Sequence, residues 1–432
     1  MLDIRFIREN PDLVQEAARN KGYDVDIKEL LSADESRREL MSKADELRSR
    51  RNEISSQMKG GKPSPELVEA GKKLKTELAE VEDHLRVVDD EYTRLLKSVP
   101  NMPAHDVPVS RDEADNVIVK TVGGIPSFDF EPKNHYEIAQ ERGWLDKERA
   151  AKVAGARFAY VMGDLVKLQL AVEQFVIDTL TDQAKIKEIA MAAGLESIST
   201  KPFTPVLPPL MIKTEAYDQM DRLEPQDDRY KIEGEELWLQ GSAEHVLGSM
   251  HAGEIFEEAE LPVRYLGLAT SFRKEAGTYG KDMEGLIRMH QFDKLEMESF
   301  TTADTSFDEH LLFIAIQEYL LSTLKLPYHV LQKVTGDIGK PDARGIDMEV
   351  WLPGQGKYRE THTADYMTDY QARRLNTRVR RHSGVELVHT NDATAFALGR
   401  CMVAIIENYQ RVDGSITIPD ALRAYLGGRE IL

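Results

Sequence analysis

The chain reads as an α+β protein in which a helical arm precedes a domain of antiparallel strands and helices. Three observations predict this. Apolar residues recur at alternating four- and three-residue steps over two stretches near the N-terminus, the seam of a coiled coil. Further along, strand-like and helical runs mix without a Gly-rich dinucleotide or phosphate-loop signature. The length, 432 residues, is more than one core usually holds and calls for two or more domains.

The bulk properties narrow the class. A hydrophobic content of 41% with 30% charged residues describes a soluble globular chain. No apolar run reaches the roughly 18–20 residues of a membrane span. The N-terminus, Met1-Leu-Asp-Ile-Arg5, has no signal-peptide apolar core. Cys401 is the single cysteine, which leaves no disulfide and no cysteine-based zinc site and points to a reducing cytoplasm. A net charge of -19 argues against general polyanion binding, DNA included. Between residues 48 and 75, however, Arg48, Arg50, Arg51, Lys59, Lys62, Lys72, Lys73 and Lys75 outnumber Glu53, Glu66 and Glu69. A basic segment on an acidic body is a local electrostatic footprint.

In chain order, Asn10-Pro11-Asp12 marks the start of a short helix with Leu13, Val14 and Ala17 as its apolar stripe. Leu40, Ala44, Leu47, Arg51, Ile54 and Met58 form one seam; Leu67, Gly71, Leu74, Leu78, Val81, Leu85, Val88, Tyr92 and Leu95 form another. The Gly60–Pro65 turn between them folds the pair into an antiparallel hairpin over about 34–97, within an arm of residues 1–105. At ~1.5 Å per residue it reaches roughly 45 Å. Periodicity alone favours a structural spacer or a dimerisation coil; the short turn and the basic side chains near the tip weigh against that.

The proline-punctuated stretch Val99–Pro108 is the linker, and the second domain covers 106–432. A helix is expected over Leu165–Thr181, a strand over Phe203–Ile212, a helix over Phe307–Leu324, strands over Asp347–Pro353 and Lys357–Thr363, and a buried helix within Phe396–Gln410. Residues 182–201 read as an insertion. The stretch Thr270–Glu296 reads as two strands around a mobile loop loosened by Gly277, Gly280 and Gly285, with Phe272–Glu275 ending one strand and Leu286–Glu296 forming the other. Arg273, Glu275, Arg288 and Glu296 would then converge on one face. Unpaired buried charges cost several kcal/mol, so this points to a site; a solvated hairpin with weak surface ion pairs is the plain alternative.

Phe272-Arg-x-Glu-Ala-Gly followed by Gly285-Leu-Ile-Arg-x-His-Gln-Phe-x-Lys-x-Glu296 closely resembles motif 2 of seryl-tRNA synthetases, class II aminoacyl-tRNA synthetases of the common non-zinc type. Phe203–Ile212, with Pro209, is similar to motif 1, which builds the dimer interface in that family. His135-Tyr-Glu-Ile138 is similar to the start of its catalytic domain. Leu237–Glu244 resembles its Thr-x-Glu element with Ser242 for threonine. Gly399-Arg400 and the following helix resemble motif 3, with Ala395 where the first glycine usually stands.

The resemblance implies a class II catalytic domain, an antiparallel β-sheet flanked by helices, and a cytoplasmic homodimer that forms seryl-adenylate from L-serine and ATP. The seryl group then passes to the 3′ end of tRNA(Ser). It implies Arg273 and Arg400 as catalytic, and Arg273, Lys274, Glu275, Phe292, Glu360, Thr361, His362, Thr363 and Arg400 around ATP. Ser242, Ala243, Glu244, Arg273, Glu296 and Thr394 would take serine, with Glu360 and Thr363 holding Mg²⁺. Arg48, Arg51, Lys59, Lys72, Lys75 and Lys281 would touch tRNA. Departures stand beside it: His362-Thr-Ala-Asp-Tyr-Met367 replaces a Ser-Ser-x-Ser-Asn-Cys run, Asp392 replaces asparagine, and Lys281 and Glu284 stand where arginines are common. A paralogue with another amino acid or acceptor, and an inactive RNA-binding homologue, are the rival readings.

Overall fold

The computed structural model describes residues 1–58, 64–276 and 285–432, which divide into two compact units, 1–102 and 103–432. In the first unit, α1 (Ile4–Glu9) and α2 (Pro11–Asn20) precede α3 (Ile27–Met58) and α4 (Pro65–Ser98). Pro11 and Pro65 occupy first helical turns, where the missing N–H costs nothing. The Ser64 hydroxyl accepts from the Leu67 N–H and caps α4.

Helices α3 and α4 pair through Ala44, Leu47, Leu74, Leu78 and Val81, with Leu40 and Ile54 against them. Arg51, placed in the seam by periodicity, is exposed instead. Asp34, 1% exposed, ties α1 to α3 by accepting from Arg8 at 2.7 and 2.9 Å.

The second unit is built on one eight-stranded sheet. Its strands are β1 (Val117–Val122), β2 (Thr204–Val206), β3 (Val263–Phe272), β4 (Gln291–Thr301), β5 (Tyr328–Gln332), β6 (Arg344–Leu352), β7 (Lys357–Thr368) and β8 (His389–Ala397). The order is β1-β5-β6-β7-β8-β4-β3-β2, antiparallel throughout except for the β2–β3 pair.

Around the sheet run α5 (His135–Glu141), α6 (Asp164–Thr181), α7 (Gln183–Ala192), α8 (Ala243–Gly248), α9 (Ser306–Thr323) and α10 (Leu398–Asn408). Period-two alternation gives the sheet two unlike faces. Leu295, Met297, Ile346, Met348, Ala364 and Ala393 join the main core with apolar residues of α6, α9 and α10. The alternate residues Lys294, Glu296, Glu298, Asp347, Asp365, Asp392 and Thr394 therefore point to the opposite face.

Three expectations change. The first strand of the central stretch ends at Phe272, short of Glu275, which is left-handed (φ 53°), and the second begins at Gln291 rather than Leu286. The strand expected over Phe203–Ile212 breaks into β2 and a short strand Met211–Lys213 in another sheet, with Pro208 and Pro209, which lack N–H donors, between them. The supposed insertion contains α7, whose Ile186, Ile189 and Ala190 belong to the main core.

Candidate active site

The polar face of the sheet carries a cavity beside the ends of β3, β4 and β8 and the first half of β7. Arg273, Glu275, Arg288, Phe292, Lys294, Glu360, Thr361, Thr363, Thr394 and Arg400 line it. Cationic, anionic and aromatic groups together suit a ligand with both a charged and a flat part.

Arg273 follows β3 directly. Its Nε donates to the Gly241 carbonyl at 3.0 Å, and its guanidinium lies 5.4 Å from the centre of the Phe292 ring. Burial, and then the nearby Arg229, pull that guanidinium below its ordinary value. A desolvated guanidinium with a like charge beside it is a strong anion receptor. Arg400, in the first turn of α10, donates to the Glu360 carbonyl at 2.8 Å and pairs with its carboxylate at 3.1 Å. Glu275 pairs with Arg288 across the mouth.

A bulge in β7 arranges the acid side. Asp347 opposes Thr363 and Met348 opposes His362, but Glu349 opposes Glu360, so Thr361 is the extra residue. Glu360 and Thr363 consequently share one face and line both this cavity and a second, bounded by Lys333, Asp337, Asp342, Asp347 and Asp365. Burial, and the neighbouring Glu360, raise the Asp347 carboxyl to about 7, against the pull of Lys333.

Behind Lys294 and Thr394 lies a deeper polar set. Lys294 Nζ is 2.5 Å from Glu296 Oε2, and the Ser242 hydroxyl donates to the same oxygen at 3.3 Å. Glu244, on α8, accepts from Arg222 at 2.7 Å and from Gln371 at 3.0 Å. Ala243 packs against Leu247 and Ala269, seating α8 on the sheet. Glu298, Asp392 and Asp365 stand directly opposite one another across β4, β8 and β7. Burial raises all three carboxyls, and the neighbouring acids raise them further. Like charges facing each other across strands are unfavourable, so protons reside in this row.

Two of the expected nucleotide-binding residues keep their side chains out of the cavity lining, which for His362, as for Thr361, leaves the expected contact through backbone. His362 points to the helix-covered face, its Nε2 2.9 Å from the Ala395 carbonyl and its ring edge-on to Phe396. Burial pushes it down to about 3, so the ring is neutral. Strand alternation from Thr363 sends it there. The Lys274 ammonium lies over the Tyr230 ring at 5.6 Å rather than in the cavity lining. On the arm, Arg48, Arg51, Lys72 and Lys75 are exposed, with Arg48 engaged by Asp45 and Glu82. Lys59 and Lys281 lie outside the described residues. Among the described residues, no group of three His, Cys, Asp or Glu side chains forms a metal site, and no helix is long and apolar enough to cross a membrane.

Sequence reading assigned no role to Arg222 or Lys294. Lys294 had a signal, two residues before Glu296 on the same strand face. Arg222 had none, since Asp342 is 120 residues away.

An antiparallel sheet whose polar face holds this cavity between a strand-end arginine and an arginine-bearing helix defines a class II aminoacyl-tRNA synthetase core. The family pattern described as the tRNA synthetase class II core domain (G, H, P, S and T) matches residues 228–409, and the Seryl-tRNA synthetase N-terminal domain matches 1–103. The chain belongs to the seryl-tRNA synthetase family. It is 40% identical over 447 residues to the serine–tRNA ligase of Methanoregula boonei, covering 100% of both chains. It is 38% identical over 437 residues to that of Thermodesulfovibrio yellowstonii, covering 99% of each. The seryl-tRNA synthetase of Pyrococcus horikoshii, solved in complex with ATP, superimposes with a TM-score of 0.87 at 35% identity, covering 100% of this chain and 99% of that one.

Proposed function

We infer that the protein is a serine–tRNA ligase: it activates L-serine with ATP and transfers the seryl group to the 3′ end of tRNA(Ser). The observation that carries this reading is the juxtaposition of the Arg273–Phe292–Arg400 cavity with the deeper Ser242–Glu296–Glu244 set, joined at Lys294 and Thr394.

In the first step a serine carboxylate oxygen attacks the α-phosphorus of ATP, and pyrophosphate leaves with the electrons of the broken P–O bond. In the second, a terminal ribose hydroxyl attacks the adenylate carbonyl and AMP leaves. Chemistry of this kind depends on alignment and on positive charge where the transition state is negative. Arg273 suits both anions, its planar fork bridging the α-phosphate and the serine carboxylate. Phe292 and Arg400 would sandwich the adenine, and Glu275 would accept from its amino group. Glu360 and Thr363, paired hard oxygen donors, fit Mg²⁺. When bound, that ion neutralises charge on the phosphates. Glu296 would hold the substrate ammonium, with Ser242 and Thr394 near its hydroxyl and Glu244 supporting from behind. A pocket that pairs a substrate hydroxyl rejects analogues lacking it by on the order of 10⁴-fold. The exposed bases Arg48, Arg51, Lys72 and Lys75 would meet the tRNA backbone. A cytoplasmic homodimer without zinc completes the proposal.

Serine-dependent ATP–pyrophosphate exchange by the purified chain tests the reading. Exchange with serine is expected; exchange with threonine or alanine but not serine would overturn it in favour of a paralogue.

A further inference from the structure

We propose that His135 and Glu407 form a latch that fixes the return limb of the loop after Arg273, and through it one wall of the nucleotide cavity. The proposal rests on reading that cavity as the ATP site. His135 opens α5 and is 4% exposed, while Glu407 sits in the last turn of α10 at 0%. His135 Nδ1 lies 2.8 Å from Glu407 Oε1, and the His135 backbone N–H donates to the same oxygen at 3.1 Å. The other carboxylate oxygen accepts from the Gly354 N–H at 2.9 Å.

A carboxylate facing Nδ1 places the ring proton there and leaves Nε2 as an acceptor. Onto Nε2 the Leu286 N–H donates at 3.3 Å. The fit is close: Gly285 is left-handed (φ 71°), and a Cβ there would sit 1.8 Å from Nε2.

The contact bears on the site because of where its ends lie. Leu286 and Arg288 line the cavity together with Gly399 and Arg400. The Leu286 carbonyl lies against Gly399, 3.0 Å from where a Cβ would be. Arg400 and Glu407 stand on the same helix, α10, one in its first turn and one in its last. The helix that carries Arg400 therefore also positions, through His135, the limb facing it. The outgoing limb has its own anchor: the Lys274 and Ala276 N–H groups donate to the Asp228 carbonyl and carboxylate at 3.0 and 3.1 Å. His135 is thus a positioning residue for ATP, touching no reacting atom.

The test uses the full chain, with His135→Ala, His135→Gln and Gly285→Ala compared with wild type. The readouts are KM and kcat for ATP and for serine in pyrophosphate exchange, ATP affinity by calorimetry, and Tm. His135→Ala and Gly285→Ala should raise KM for ATP ~10-fold or more, a scale reached by small misplacements. KM for serine should stay within about two-fold, since only one wall moves. His135→Gln, which retains an acceptor near the Nε2 position, should recover most of the loss. Unchanged ATP affinity in His135→Ala would overturn the latch. So would equal damage to ATP and serine parameters that the glutamine variant does not relieve. Calorimetry separates the two hypotheses: absent serine-dependent exchange in wild type would remove the ligase reading, while the ATP affinities still decide the latch.

Discussion

Arg222 stands between Glu244 and Asp342, with Nε 2.7 Å from one carboxylate and a terminal nitrogen 3.1 Å from the other. Both acids are buried, and the guanidinium is the counter-charge that links them. Removing one partner of such a network costs about 3–5 kcal/mol, because the remaining charges lose their compensation.

Arg222→Ala should accordingly lower Tm and raise KM for serine ~10-fold or more, with a smaller effect on ATP. Arg222→Lys, a point charge without the fork, should recover only part of this. Steady-state kinetics with each substrate varied in turn checks the split. A larger effect on ATP than on serine would place Arg222 in the wrong subsite.

Arg273→Ala should reduce serine-dependent exchange by ~10²–10³-fold, the range for losing one preorganised charge at a transition state. Its melting curve should stay close to wild type. Exchange within ten-fold of wild type would remove Arg273 from the proposed role.

Glu298 gives a pH-dependent prediction. Burial holds its carboxyl well above the usual range, Glu244 and Glu296 add to the rise, and Arg222 opposes it. The folded chain thus keeps a proton that the unfolded chain loses as pH climbs through the ordinary carboxylate range. Stability tied to that proton is complete below this range and declines as pH rises. Glu298→Gln cannot ionise, so its Tm should lie near wild type at about pH 5 and move progressively above it toward pH 9. A wild-type advantage that widens with pH would contradict this account.

Deleting residues 34–97 should leave pyrophosphate exchange within a few-fold of wild type and cut tRNA charging by ~10²-fold or more, since lost phosphate contacts act on that scale. Aminoacylation and exchange measured on the same preparation separate the two steps. Undiminished charging would reduce the arm to a spacer.

Much of the architecture was legible because periodicity carries it. The seams of α3 and α4 are spelled out in leucines, and Ala44, Leu47, Leu74 and Leu78 are buried as their spacing requires. Arg273, Glu275, Phe292 and Arg400 meet at one cavity because each lies at a strand end, just beyond one or at a helix start, and Glu360 and Thr363 join them from within β7, turned to one face by its bulge. What failed was phase and partnership. Thr361 shifts β7 by one residue, and that decides which way His362 points. The partners of Glu244, Arg222 and Gln371, come from distant segments, so no local window contains them. The helix in 182–201 was missed because Ile186, Ile189 and Ala190 gain their meaning only against α9.

The extra residue in β7 also constrains how this strand can change over generations. Ahead of Thr361 the side chains count from one parity, and after it from the other. A one-codon loss of Thr361 would restore a regular register and leave Glu360 and Thr363 on one face, whereas loss of Ala364 would put Thr363 and Asp365 on opposite faces. A shortening by one residue should therefore be tolerated at Thr361 and purged in the part of the strand that follows it.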